Sequence, residues 1–186
     1  IQLIPTGITT TIRGAFPVWE YNQVNARIFG VDIDVNKKIN NQIDYFGSLS
    51  LLRGDNLTDD IPLIHMPAAN FSNRISYTND EFHKLTISLT HKTILEQKRF
   101  PDYNFTTFNA TQQQDVYVDI SSTPPTYSLF GLNTSATFNA FKKGSLQLEF
   151  NIENLFNVSY REHLNRLRYF ADEVGRNFNI KIKINY

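Results

Sequence analysis

Four histidines, His65, His83, His91 and His163, are the side chains best suited by type to hold a metal ion or move a proton near neutral pH. Their spacing does not gather them. They fall on different predicted strands and loops, no His-X-X-X-His pair is present, and there is no cysteine to add a thiolate. Asp55, Asp59 and Asp60 in "RGDNLTDD" supply carboxylates. A hard cation, however, needs about six oxygen ligands at set spacing, and no loop of that pattern follows. These aspartates therefore read as solvated loop charges, and the Arg53-Gly54-Asp55 triplet as a coincidence of three residues. The sequence predicts no catalytic residue, no metal site and no cofactor.

The elements that carry these residues are more informative than the residues. Lys plus Arg and Asp plus Glu are 18 each, a formal net charge of +0, which leaves no electrostatic footprint for nucleic acid. Charged residues are 19% of the chain, below the usual share of about a quarter, and aromatics reach 13%. Nowhere do about 18 apolar residues run together, so no membrane helix is predicted. A closed β-barrel also satisfies every backbone group in lipid, and that route stays open. Asn-X-Ser/Thr triplets such as the one at 104–106 follow from an Asn-rich composition and carry little weight.

Alternation of period two recurs along the chain. The stretch "NFNIKIKINY" puts Phe178, Ile180, Ile182, Ile184 and Tyr186 on one parity, and Asn177, Asn179, Lys181, Lys183 and Asn185 on the other. "SLQLEFNIE" sets Leu146, Leu148, Phe150 and Ile152 against Gln147, Glu149, Asn151 and Glu153. "IFGVDIDV" sets Phe29, Val31, Ile33 and Val35 against Gly30, Asp32 and Asp34, and "KLTISLT" does the same with smaller polar residues. Each reads as a strand between one apolar and one polar environment.

The connections predict what those environments are. Short ones at 37–41, 79–83 and 141–144 alternate with long ones at 5–23, 54–64, 96–126 and 159–175. A soluble sandwich has no reason for that order. A transmembrane barrel has one: short turns on the periplasmic side, long loops outside, and strands of about ten residues. About eight antiparallel strands are expected. Tyr45, Tyr77, Tyr127, Phe141, Phe156, Phe178 and Tyr186 fall near strand ends, where an interfacial girdle would sit.

In the last third, Asn154-Leu155-Phe156-Asn157 closes a strand, "YREHL" follows at 160–164, and Gly175-Arg176-Asn177-Phe178 opens a final strand. This pattern resembles the C-terminal end of TonB-dependent outer-membrane receptors. Upstream, "NARIFGVDIDV" is similar to the family's Ala-X-X-X-Gly-X-Glu strand with Asp32 for Glu, and "IPLIHMP" resembles its Pro-Leu-X-X-X-Pro entry. The resemblance implies active uptake of a scarce nutrient, such as a ferric siderophore, haem or another metal complex. It implies a barrel of about twenty-two strands, of which residues 1–186 would be the C-terminal portion, without the plug domain and earlier strands.

Within that frame the candidate sites are specific. His65, Tyr103, His163 and Arg166 lie in the long loops where a ligand would arrive. Asp32, Asp34, Glu149, Glu153, Lys181 and Lys183 would face the lumen and the plug, or pair across neighbouring strands. Phe178 and Tyr186 would form the assembly signal that the resemblance implies for the last strand, read by the barrel-insertion machinery. The implied partners are the plug, the remaining strands, the TonB complex through a missing N-terminal region, and outer-membrane lipid. Rival readings are a complete eight-stranded barrel acting as an adhesin or structural protein, and a soluble carbohydrate-binding β-sandwich.

Overall fold

The computed structural model describes residues 2–12, 14–109, 112–140 and 144–185. All regular structure among them is β. Two strands at the start, β1 (Gln2–Thr11) and β2 (Gly14–Asn22), form a hairpin of their own. Next come β3 (Ala26–Lys38), β4 (Ile43–Asn56), the two-residue β5 (Ile61–Pro62), β6 (Asn70–Asn79) and β7 (Leu85–Ile94). A second small hairpin, β8 (Phe105–Asn109) and β9 (Gln114–Val118), precedes β10 (Tyr127–Ala140), β11 (Gly144–Glu153) and β12 (Asn177–Asn185).

The main sheet has eight strands in the order β12-β11-β10-β7-β6-β4-β3, with β5 paired to the end of β4. Every pairing is antiparallel, and each long strand lies beside the next long strand of the chain. Hence the connections 39–42 and 80–84 and the paired ends Ala140 and Gly144 meet at one end of the sheet, and the described parts of 57–69, 95–126 and 154–176 at the other. The strict alternation of short and long connections predicted from the sequence is thus a division between two ends. Two of the long connections carry strands of their own: 5–23 is largely the β1–β2 hairpin, and 96–126 contains the β8–β9 hairpin.

Register turns the sequence alternation into two continuous faces, because directly opposed residues in an antiparallel pair share a face. From β3 to β12 the rows run Ile33↔Leu49↔Phe71 and Tyr77↔Ile87, then Leu89↔Leu132↔Ile152↔Phe178. Lower on the same face are Leu148↔Ile182 and Leu146↔Ile184. The opposite face carries Asp34↔Ser48↔Ser72↔Lys92, Ser88↔Asn133↔Asn151↔Asn179 and Ser135↔Glu149↔Lys181. Ser and Thr pack this polar face closely, with the Ser76 and Ser88 hydroxyls 2.8 Å apart.

Among the described residues, no second sheet or other layer packs on the apolar face. The hydrophobic residues buried among those described are Met66 and Ala68, both in a loop, while Ile180 is 76% and Ile182 62% exposed. A soluble chain of this length would bury its apolar strands in a second layer. Here seven long strands share one broad apolar face, with exposed residues running from Phe29, Val31 and Ile33 to Ile180, Ile182 and Ile184, more than the scattered apolar residues of a soluble monomer's surface. The sandwich reading fails on this point.

Polar residues on the apolar face satisfy one another. The Tyr45 hydroxyl donates to Asn73 Oδ1 at 2.7 Å, and Thr93 Oγ1 lies 3.0 Å from His91 Nε2 and 2.6 Å from Ser128 Oγ. Tyr45 lies across its own strand: a Cβ on Gly47 would come within 2.7 Å of the tyrosine oxygen, which only glycine avoids. Of the expected girdle, Tyr45, Tyr77 and Phe178 are on the apolar face. Tyr127 is not. It pairs with Ile94 on the polar-face parity and stacks on Tyr160, 4.7 Å between centroids, so it packs a loop rather than an interface. Phe141 and Tyr186 lie outside the described residues, and with Tyr186 one half of the expected assembly signal.

Candidate ligand-binding site

Three connections converge at the loop end of the sheet, and the sequence explains how each is fixed. The turn leaving β11 uses Asn154 and Asn157, both at positive φ (49° and 55°), a conformation asparagine tolerates better than other side-chain-bearing residues. Asn154 is 5% exposed; its side chain donates to the Val158 carbonyl and accepts from the Val158 amide, each at 2.8 Å. Asn157 Oδ1 accepts the Arg176 amide at 2.8 Å, and a Cβ on Gly175 would strike that oxygen at 2.6 Å. The Asn-Leu-Phe-Asn and Gly-Arg-Asn-Phe stretches are therefore two halves of one clasp closing the 154–176 loop.

Inside that loop, Arg161 Nε binds Asp172 at 2.6 Å and its Nη1 donates to the Arg168 carbonyl at 2.8 Å; Ser159 also donates to Asp172. These bonds hold the Asp172 carboxyl below its usual range, through Ser159 first and Arg161 next. Within "YREHL", Tyr160 and Arg161 fold the loop, whereas His163 lines a cavity.

The 95–126 connection is bound at the foot of its hairpin. Asn104 Oδ1 accepts the amides of Ile120 and Ser121 at 2.7 and 2.9 Å, and the Tyr103 amide donates to Ser121 Oγ at 2.7 Å. Asp119 caps the Ser121 and Ser122 amides, and its carboxyl is lowered by the bonds from Ser122 foremost. Tyr169 joins this loop to 154–176: its hydroxyl donates to the Ile120 carbonyl at 2.6 Å and accepts from Arg168 Nη2 at 2.5 Å. Gln97 Nε2 donates to the Met66 and Pro67 carbonyls, which brings the 57–69 connection alongside.

Between these connections and β2 lies a cavity of about 370 Å³. His65, Tyr103, His163 and Arg166 all line it. The fold thus brings together four residues that sequence reading could only scatter over three loops. It adds Trp19, whose ring meets Tyr103 edge-on at 5.7 Å, and Arg168, stacked 4.7 Å over Tyr169. Trp19 is the chain's single tryptophan, and that rarity was the one signal for it in the sequence. Arg168 and Tyr169 carried none.

The electrostatics are one-sided. Arg166 and Arg168 line the cavity and no carboxylate does. Loss of water foremost, then the charge of Arg168 and then His65, together push the half-buried His163 imidazole down to about 4. His65, at the exposed rim, is lowered by the same causes in order: desolvation, then Arg166 and Arg168. The His163 imidazole is therefore neutral at pH 7. His163 Nδ1 and Arg168 Nε are buried without a hydrogen-bond partner among the described residues. Such a lining suits an anionic guest with apolar or aromatic surface. It does not suit a bare metal ion, since no three His, Cys, Asp or Glu side chains gather among the described residues.

A pH dependence follows. In the unfolded chain His163 takes up its proton near pH 6.5, and in the folded loops only near 4. The loop packing is therefore fully stable above pH 6.5 and loses stability as pH falls from there toward about 4. In an NMR titration of imidazole signals, His163 is expected to stay neutral at pH 5.5. A midpoint at 6.5 would show that the loops do not enclose it.

The polar-face candidates share that face as the register requires: Asp32, Asp34, Glu149, Glu153, Lys181 and Lys183. Lys181 Nζ lies 3.4 Å from Glu149 Oε2 on the neighbouring strand, so this pair is engaged across the ladder. Asp55 departs from the solvated charge expected of it: it is 8% exposed, bonded by Arg27, Arg53 and Arg99. Phe178 lies on the apolar face, its ring stacked 6.3 Å from Phe150.

No family model matches the sequence, and no curated protein does. Among solved structures the chain is similar to the copper transporter OprC, with a TM-score of 0.73 at 18% identity. The likeness covers 98% of this chain and 26% of that one. It shows the fold: an all-β antiparallel array corresponding to a portion of a larger outer-membrane barrel.

Proposed function

We propose that the chain is the C-terminal part of a TonB-dependent outer-membrane receptor barrel that takes up a scarce metal complex. The observation that carries this reading is the broad exposed apolar face of the main sheet, on strands whose other face is mostly polar. Lipid is the environment that face fits, and a wet lumen holding a plug domain is what the other face fits. The chain spans about a quarter of the transporter it is similar to, which supports a large barrel over a complete eight-stranded adhesin. Energy would come through TonB by way of a plug outside this chain.

The cargo would enter from the loop end, and the cavity with His65, Tyr103, His163 and Arg166 supports a metal held in an anionic organic complex: a ferric siderophore, haem or a copper chelate. That neighbour is a copper transporter, so the likeness itself does not favour iron. The test is uptake by cells carrying the full-length protein, across ferric siderophores, haem and copper chelates, with and without TonB. One complex should enter only when TonB is present. His163→Ala combined with Arg166→Ala should weaken its binding about tenfold, as loss of one charge-assisted contact implies. Uptake that persists without TonB would end this reading.

A further inference from the structure

Three arginines share one carboxylate where the apolar face ends. Arg27 Nη2 lies 3.0 Å from Asp55 Oδ2, and Arg53 Nε and Arg99 Nη2 lie 3.3 and 2.6 Å from Asp55 Oδ1. Three guanidiniums against one carboxylate leave two positive charges in excess. The carboxylate is nearly enclosed, at 11% of its side-chain area, while Arg27 and Arg53 keep 59% and 47% of theirs exposed. Asp55 is saturated and the arginines are not.

Register fixes where the excess charge sits. Ascending β3 and β4 on the apolar face, the pairs are Ile33↔Leu49, Val31↔Leu51, Phe29↔Arg53 and Arg27↔Asp55. The guanidiniums thus begin at the last apolar residue, Phe29, and Arg27 stands about 7 Å beyond it along the strand. Both lie over the Phe29 ring, at 5.3 Å for Arg27 and 5.8 Å for Arg53, which holds them against the surface. Arg27 and Arg53 thus fall in adjacent rows, and no other two adjacent rows of the apolar face carry arginine or lysine side chains among the described strand residues.

We propose that Arg27, Arg53 and Arg99 hold the phosphate of an anionic lipid in the leaflet around the loop end of the barrel. This rests on the outer-membrane reading above. The depth is that of a headgroup, immediately past the hydrocarbon-facing residues. Planar guanidiniums pair with phosphate oxygens through parallel hydrogen bonds, which lysines do not offer. Asp55 acts as the template that gathers arginines from two strands and a loop.

The test uses the full-length protein in phosphatidylcholine nanodiscs doped with lipid A, a phosphorylated glycolipid, or with its dephosphorylated form; lipid retention is read by native mass spectrometry. Wild type should retain the phosphorylated form about tenfold better, the discrimination expected of one charge-assisted contact. Arg27→Gln with Arg53→Gln should abolish that preference while the protein still inserts. Equal retention of both forms by wild type, a preference that survives the double variant, or full displacement by inorganic phosphate would each overturn the proposal. Failure of wild type to insert into the nanodisc would instead overturn the outer-membrane reading itself.

Discussion

Ile182→Lys is expected to destabilise the assembled barrel by about 2–4 kcal/mol, the range for a basic side chain near the bilayer midplane on a lipid-facing wall. Ile182 lies in the middle of β12, opposite Leu148 and between Ile180 and Ile184 on the same face. It is 62% exposed, so lysine meets no steric obstacle and the whole penalty comes from the surroundings. In water the same substitution would be close to neutral or would improve solubility. The control is one residue away. Lys181→Gln removes a mostly exposed cation, 68% accessible and 3.4 Å from Glu149, a pair of the kind worth less than about 1 kcal/mol. Urea unfolding of the full-length protein refolded into lipid vesicles compares the two directly. A large loss at Lys181 with none at Ile182 would invert the two faces.

That contrast could be designed from the sequence because period-two alternation survives any arrangement of the strands. Phe178 to Ile184, Leu146 to Ile152 and Phe29 to Val35 each declare two faces without reference to a neighbour. What alternation leaves open is which rows align, and register decides that. Tyr127 shows the consequence: its position near a strand end suggested a girdle residue, yet its opposition to Ile94 turns it to the polar-face parity beneath Tyr160.

The loop site was legible only as residue types. His65, Tyr103, His163 and Arg166 stand far apart in sequence, and their convergence depends on bonds such as Tyr169 to the Ile120 carbonyl and Gln97 to the Met66 carbonyl. Side-chain to backbone bonds of this kind have no periodicity to read. Asp55 was misjudged for the same reason, since Arg99 reaches it from 44 residues away. The clasp made by Asn154, Asn157 and Gly175 was closer to the surface of the sequence, because asparagine and glycine at loop ends mark backbone conformations other residues avoid.

On the proposed reading the barrel wall stands with its long connections outside the cell, its short turns on the periplasmic side, and its apolar face in lipid. Gln112, beside the tip of the β8–β9 hairpin, and Glu81, in the turn between β6 and β7, stand at opposite ends of the sheet and are both exposed. The chain has no cysteine of its own, so Gln112→Cys and Glu81→Cys each introduce one new thiol. With a membrane-impermeant maleimide on intact cells expressing the full-length receptor, Gln112→Cys should label to completion and Glu81→Cys only after the outer membrane is permeabilised. Equal labelling of the two on intact cells, or labelling of Glu81→Cys alone, would contradict the account.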